Sequence, residues 1–68
     1  MDPTQRRLVM KIKQLREQKG LTQERLAEKA SLSLGYIARL EIGRHDPSLS
    51  TLVKLAKALK VTVGELVE

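Results

Sequence analysis

Sixty-eight residues, 41% of them apolar and 31% charged, suit one soluble globular domain, which at this size hides only about 60% of its unfolded surface; two-domain plans and large buried active sites are excluded. With no Cys, no Phe or Trp and one Tyr, there is no disulfide framework, thiolate zinc site or cysteine nucleophile, the core must be aliphatic, and a reducing, cytoplasmic home is expected. Thirteen Lys and Arg against eight Asp and Glu give a net charge of +5 and a pI near 10.0, enough to favour a polyanionic partner if the charges share a face.

Gly and Pro divide the chain into five stretches of helical periodicity, with no repeat, linker or strand-like alternation. Asp2 is placed to cap a first helix, with Pro3 at its first position and Gln5 three residues after the cap; Leu8, Ile12 and Leu15 then form one stripe until Gly20 stops it. The opening MDPTQRR lacks a signal peptide's apolar stretch, and no apolar run anywhere approaches the roughly 20 residues of a membrane span. Residues 1–20 hold six bases and two acids, against four of each in 21–47 and three and two in 48–68. Solvation of an amphipathic first helix accounts for that excess as well as a nucleic-acid patch does.

Thr22 follows Leu21 as the cap of a short second helix with Leu26, Ala27 and Ala30 at helical spacing. Ser31-Leu32-Ser33 is a break of about three residues. Ser33 caps a third helix whose inward positions are Ile37 and Leu40, and Gly43 ends it. Beyond the RHDP loop, Ser48 caps a fourth helix with Leu52, Leu55, Ala56 and Leu59 inward and Lys54, Lys57 and Lys60 in water. Thr62 and Glu65 have the spacing of a capping box and open a last helix running into Leu66-Val67-Glu68. A chain ending within that helix is either complete or a piece of a longer protein.

Two short helices across a tight turn describe a helix-turn-helix, a weak signal on geometry alone because any small bundle contains such pairs. At residue level the run from Leu15 to Val61 is more telling. Arg16 and Gly20 end helix one, Leu21-Thr22-Gln23 open helix two, and Leu26-Ala27 lie within it. Tyr36-Ile37, Leu40-Glu41 and Gly43 follow in and after helix three, with Pro47-Ser48 and LVKLAKAL beyond. In this order and spacing they resemble the Xre family, the lambda-repressor-like and Cro-like domains of phage and bacteria, over about Leu8 to Leu66. The resemblance implies an all-α, five-helix fold with the helix-turn-helix formed by helices two and three. It also implies a sequence-specific regulator of transcription that binds double-stranded DNA as a homodimer on a (pseudo)palindromic operator, helix three in the major groove. Two positions depart from the pattern. Ser31 stands where the family usually has Gly, and Leu34-Gly35 stand where many relatives carry polar base-reading side chains, which bears on specificity rather than fold.

The resemblance joins Arg16 to Glu41 in a salt bridge tying helix one to the end of helix three; the residues alone also allow two independent surface charges. Ala27 is structural, a small side chain where helices two and three cross. At the start of helix two, Thr22 is a cap with phosphate contact as an added role, and Gln23 matches the family glutamine that touches DNA backbone and braces the recognition helix.

On the outer surface of helix three, Leu34, Gly35 and Arg39 are the candidate base contacts. Arg39 can fork onto guanine O6 and N7, contact phosphate, or be solvated; Leu34 can meet a thymine methyl or pack on neighbours; Gly35 allows close backbone approach or reflects drift. With Thr22 and Gln23, the candidate phosphate contacts are Ser33, Tyr36 and Arg44; Tyr36 could instead buttress helix two, and Asp46 in the same loop speaks against Arg44. Lone His45 lacks a metal-binding partner, and Ser48, His45 and Asp46 in one exposed loop do not make a triad. No enzyme, cofactor, metal or small-molecule substrate is expected. Val61, Val63, Leu66 and Val67 are nominated as the dimer contact, against the alternative that they only close the monomer core. A rival from another class is a protein-interaction module such as an antitoxin, favoured by the apolar Leu34-Gly35 tip and the zero net charge of residues 21–47.

Overall fold

The computed structural model describes residues 2–68, and these form five α-helices: α1 (Pro3–Gln18), α2 (Gln23–Ala30), α3 (Leu34–Glu41), α4 (Leu49–Leu59) and α5 (Val63–Val67). Every start is set by one side chain. Asp2, Thr22, Ser33, Ser48 and Thr62 hold extended backbone, and each side-chain oxygen accepts from the amide three residues on, at Gln5, Arg25, Tyr36, Thr51 and Glu65. The reciprocal half of the box expected at Asp2 is replaced by a longer reach. Gln5 turns its amide away from the cap and donates it to the His45 carbonyl and the Asp46 carboxylate, tying α1 to the loop after α3.

The first four helices end alike. The backbone turns left-handed at Gly20 (φ 70°), Ser31 (φ 57°), Gly43 (φ 80°) and Lys60 (φ 58°). At each, the residue's own N–H bonds to the carbonyl three back and the following N–H to the carbonyl five back, for example Ser31 to Glu28 at 3.2 Å and Leu32 to Ala27 at 2.9 Å. This closure satisfies carbonyls that a helix end otherwise leaves bare. Ser31 and Lys60 thus adopt a left-handed turn that is easiest for Gly.

Ile12, Leu26, Ala27, Ala30, Ile37, Leu40, Leu55, Ala56, Leu59 and Leu66 form the buried core, an aliphatic set drawn from all five helices. Val9 joins them from α1. α2 packs on α3 and α4, while α5 closes the other side against α1 and α4. That closure corrects one expectation. Leu66, nominated for a dimer contact, is 0% exposed and belongs to the core, because a five-residue helix must send its largest apolar side chain inward to be held at all. Val61 and Val63 are half-buried against the same core, and Val67 alone of the four is exposed. No helix among the described residues is long and apolar enough to cross a membrane.

Candidate nucleic-acid interface

The interface candidate is built on α3 and on what holds it. Ser31 and the Ser33 cap turn the chain between α2 and α3 within three residues, and Leu32 tucks against the core between them. Ile37 and Leu40 anchor the inner face of α3. Glu41 then locks its end. Its Oε2 accepts from Arg16 Nε at 2.7 Å, and its Oε1 from Arg16 Nη2 at 3.2 Å and from Gln23 Nε2 at 2.9 Å. Arg16 also donates Nη1 to the Leu21 carbonyl at 2.7 Å. The paired side chains are 11% and 2% exposed, so a forked, fully hydrogen-bonded ion pair connects α1, the start of α2 and the end of α3. No buried side-chain nitrogen or oxygen among the described residues lacks a partner.

Held this way, α3 turns Leu34 (46% exposed) and Arg39 to solvent, with Gly35 and Ala38 half-exposed between them and Ile42 (64% exposed) at the helix end. Leu34 is the first helical residue, so its side chain sits at the tip of α3. Thr22 and Ser33 are exposed at the starts of α2 and α3, their hydroxyls accepting from Arg25 N and Tyr36 N at 3.0 Å. Gln23 is half-buried, with its amide nitrogen donating one of its two hydrogens to Glu41. Arg44 is exposed just past the end of α3. Val61, Val63, Leu66 and Val67 lie at α5 and its approach, an element that packs on α1 and α4.

Two participants escaped the sequence. His45 stacks on Tyr36, ring centroids 4.5 Å apart and planes 14° from parallel, and accepts a hydrogen bond from Arg39. Gln5 anchors that loop from forty residues away. Nothing local in the sequence signals either contact, since both depend on where the loop after Gly43 is carried.

A family model described as Helix-turn-helix matches residues 12–66. The chain belongs to the Xre, lambda-repressor-like helix-turn-helix family. The immunity repressor protein of Bacillus phage phi105 is 49% identical over 57 residues, covering 84% of this chain and 40% of that protein. The HTH-type transcriptional regulator y4dJ of Sinorhizobium fredii is 47% identical over 53 residues, 78% of this chain and 69% of that one. Among solved structures, the restriction-modification controller protein C.AhdI from Aeromonas hydrophila superimposes with a TM-score of 0.88 at 35% identity, over 91% of this chain and 94% of that one. The helix-turn-helix of this family is here α2, the Ser31–Ser33 turn and α3. The chain spans 40% of the phage repressor's length, so the likeness is to a portion of that protein.

Proposed function

We propose that the chain is one DNA-binding unit of a transcriptional regulator that reads double-stranded DNA sequence-specifically, with α3 in the major groove. One observation carries the reading: α3 is fixed rigidly from behind by the Arg16, Glu41 and Gln23 cluster, while Leu34 and Arg39 on its outward face are exposed and no other helix covers them. A helix that must read base edges needs both properties. Arg39 is the multi-donor side chain on that face and suits guanine, with Leu34 at the tip suiting a thymine methyl and Gly35 a third base-contact candidate beside the Arg39 guanidinium. Thr22, Gln23 and Ser33 surround the amide-rich starts of α2 and α3, and Tyr36 and Arg44 flank them; these are the phosphate contacts that set register.

A module of this size has too little surface for high specificity alone, so two copies act on paired half-sites. Val67, flanked by Val61 and Val63, is the apolar surface left on α5 for that contact. The protein has no cofactor in this reading and works in the cytoplasm on the nucleoid.

The test is binding to DNA selected from random sequence, followed across salt. A dimer neutralising about 6 to 10 phosphates loses roughly 10³ to 10⁵ in affinity between about 50 and about 200 mM salt. A salt-insensitive or absent signal rejects the reading in favour of a protein-docking module, such as an antitoxin, built on the exposed Leu34 tip.

A further inference from the structure

Arg39 has two neighbours that fix where its guanidinium lies. Its Nε–H donates to His45 Nε2 at 3.1 Å, reaching past the helix end to the loop. Its guanidinium lies over Gly35, where a Cβ would sit 3.2 Å from Nη1, so the glycine leaves the space that the group occupies. The His45 ring that accepts its hydrogen is itself pinned flat on Tyr36. The loop backbone is pinned in turn by Gln5, which donates to the His45 carbonyl at 3.5 Å.

From this arrangement we infer that His45 is a positioning residue for base reading, acting through Arg39; the inference rests on α3 lying in the major groove. A guanidinium has five N–H groups. With Nε–H turned toward His45, the Nη1 and Nη2 end lies over Gly35 on an exposed side chain, and that end is the fork that matches guanine O6 and N7. A long side chain left free would sample phosphate and base alike, whereas one already aimed gives up less freedom when the fork closes. To accept from Arg39, His45 must be neutral with its proton on Nδ1.

Two variants separate the acceptor from the stack. His45→Phe keeps a ring on Tyr36 and removes the acceptor; His45→Gln keeps an acceptor and removes the ring. The first readout uses free protein, by NMR of the Arg39 Nε–H. It is expected to exchange slowly with solvent in the wild type and in His45→Gln, and fast in His45→Phe. The second is the affinity ratio between the selected site and its single-base changes at the guanine. His45→Phe lowers that ratio on the order of tenfold. His45→Gln retains it. A wild-type ratio in His45→Phe, or an Arg39 Nε–H indifferent to that change, overturns the inference. Failure of the underlying reading looks different, because then the wild type itself binds no DNA.

Discussion

Along its inner face α3 carries Ile37, Leu40 and Glu41, all buried; along its outer face it carries Leu34 and Arg39 in solvent, with Gly35 half-covered by Arg39 and Ile42 exposed just past its end. The same eight-residue helix therefore obeys two sets of constraints. Inside, volume and hydrogen-bond satisfaction decide what is tolerated. Outside, the fold tolerates most side chains, and any selection must come from what the face touches. A substitution inside should alter stability and leave base preference alone, and one outside should do the reverse.

The sharpest separation is expected at Glu41. Glu41→Ala strands the Arg16 guanidinium and the Gln23 amide, an uncompensated buried charge of the kind that costs about 3 to 5 kcal/mol. A chain of this length has roughly 3 to 10 kcal/mol of total stability, so the variant should lose about a third of it or more. Denaturant unfolding measures this, and the double cycle with Arg16→Ala should return a coupling above about 0.5 kcal/mol. Two additive losses would mean that the pair acts as independent charges.

Next in size is Arg39→Ala. On the outer face it should leave stability within about 0.5 kcal/mol, while weakening the best site by about 1 to 3 kcal/mol and relaxing preference at one base pair per half-site. Competition binding against single-base variants of the site checks both halves. If affinity falls by one common factor for every sequence, Arg39 grips phosphate, and selectivity must come from Leu34, Tyr36 or DNA shape.

Gln23→Ala tests the border between the faces. Loss of its bond to Glu41 should cost about 1 to 2 kcal/mol of stability, and loss of its proposed phosphate contact should weaken all sequences about equally. A change in base preference would move Gln23 into the reading face and blur the division.

Local features of the fold were legible because their signals are short-ranged. All five caps are Asp, Ser or Thr at positions where a side chain can reach an amide three residues on, and the aliphatic stripes follow the helical period. Glu41 was reached only by resemblance. Its burial depends on Arg16, twenty-five residues away, and a carboxylate at a helix end reads as exposed when taken alone. Gln5 shows the same limit from the other side: its spacing from Asp2 fits a box, yet the 45–46 loop offers its amide other acceptors. Leu66 was misassigned to a dimer because α5 looked too apolar for one face, when closing the bundle against α1 and α4 already uses that surface. His45 looked solitary because Tyr36 and Arg39 meet it only once Gly43 has turned the loop back.

The smallest expected effect concerns the four helix ends, which share one hydrogen-bond pattern but not one residue type. Gly20 and Gly43 adopt the left-handed turn without steric cost, whereas Ser31 and Lys60 place a Cβ against the following carbonyl at about 1 to 2 kcal/mol. Glycine there removes that cost and adds about 0.4 to 1 kcal/mol of chain entropy to the unfolded state. Ser31→Gly should therefore stabilise by about 0.5 to 1 kcal/mol, a rise of roughly 2 to 8 °C in Tm at this size. Lys60→Gly should gain less, because the ammonium at the end of α4 also interacts favourably with the helix dipole by about 0.3 to 1 kcal/mol. Gly20→Ala is the control, since a Cβ there meets no atom within 4 Å and any loss is conformational. Melting curves rank the three, and the comparison of faces adds a further demand: Ser31→Gly must leave base preference untouched, because it relaxes the turn behind α3 without changing what α3 presents. Should Ser31→Gly instead lower Tm, the serine side chain is holding that turn, and the family's glycine has been replaced for a structural reason.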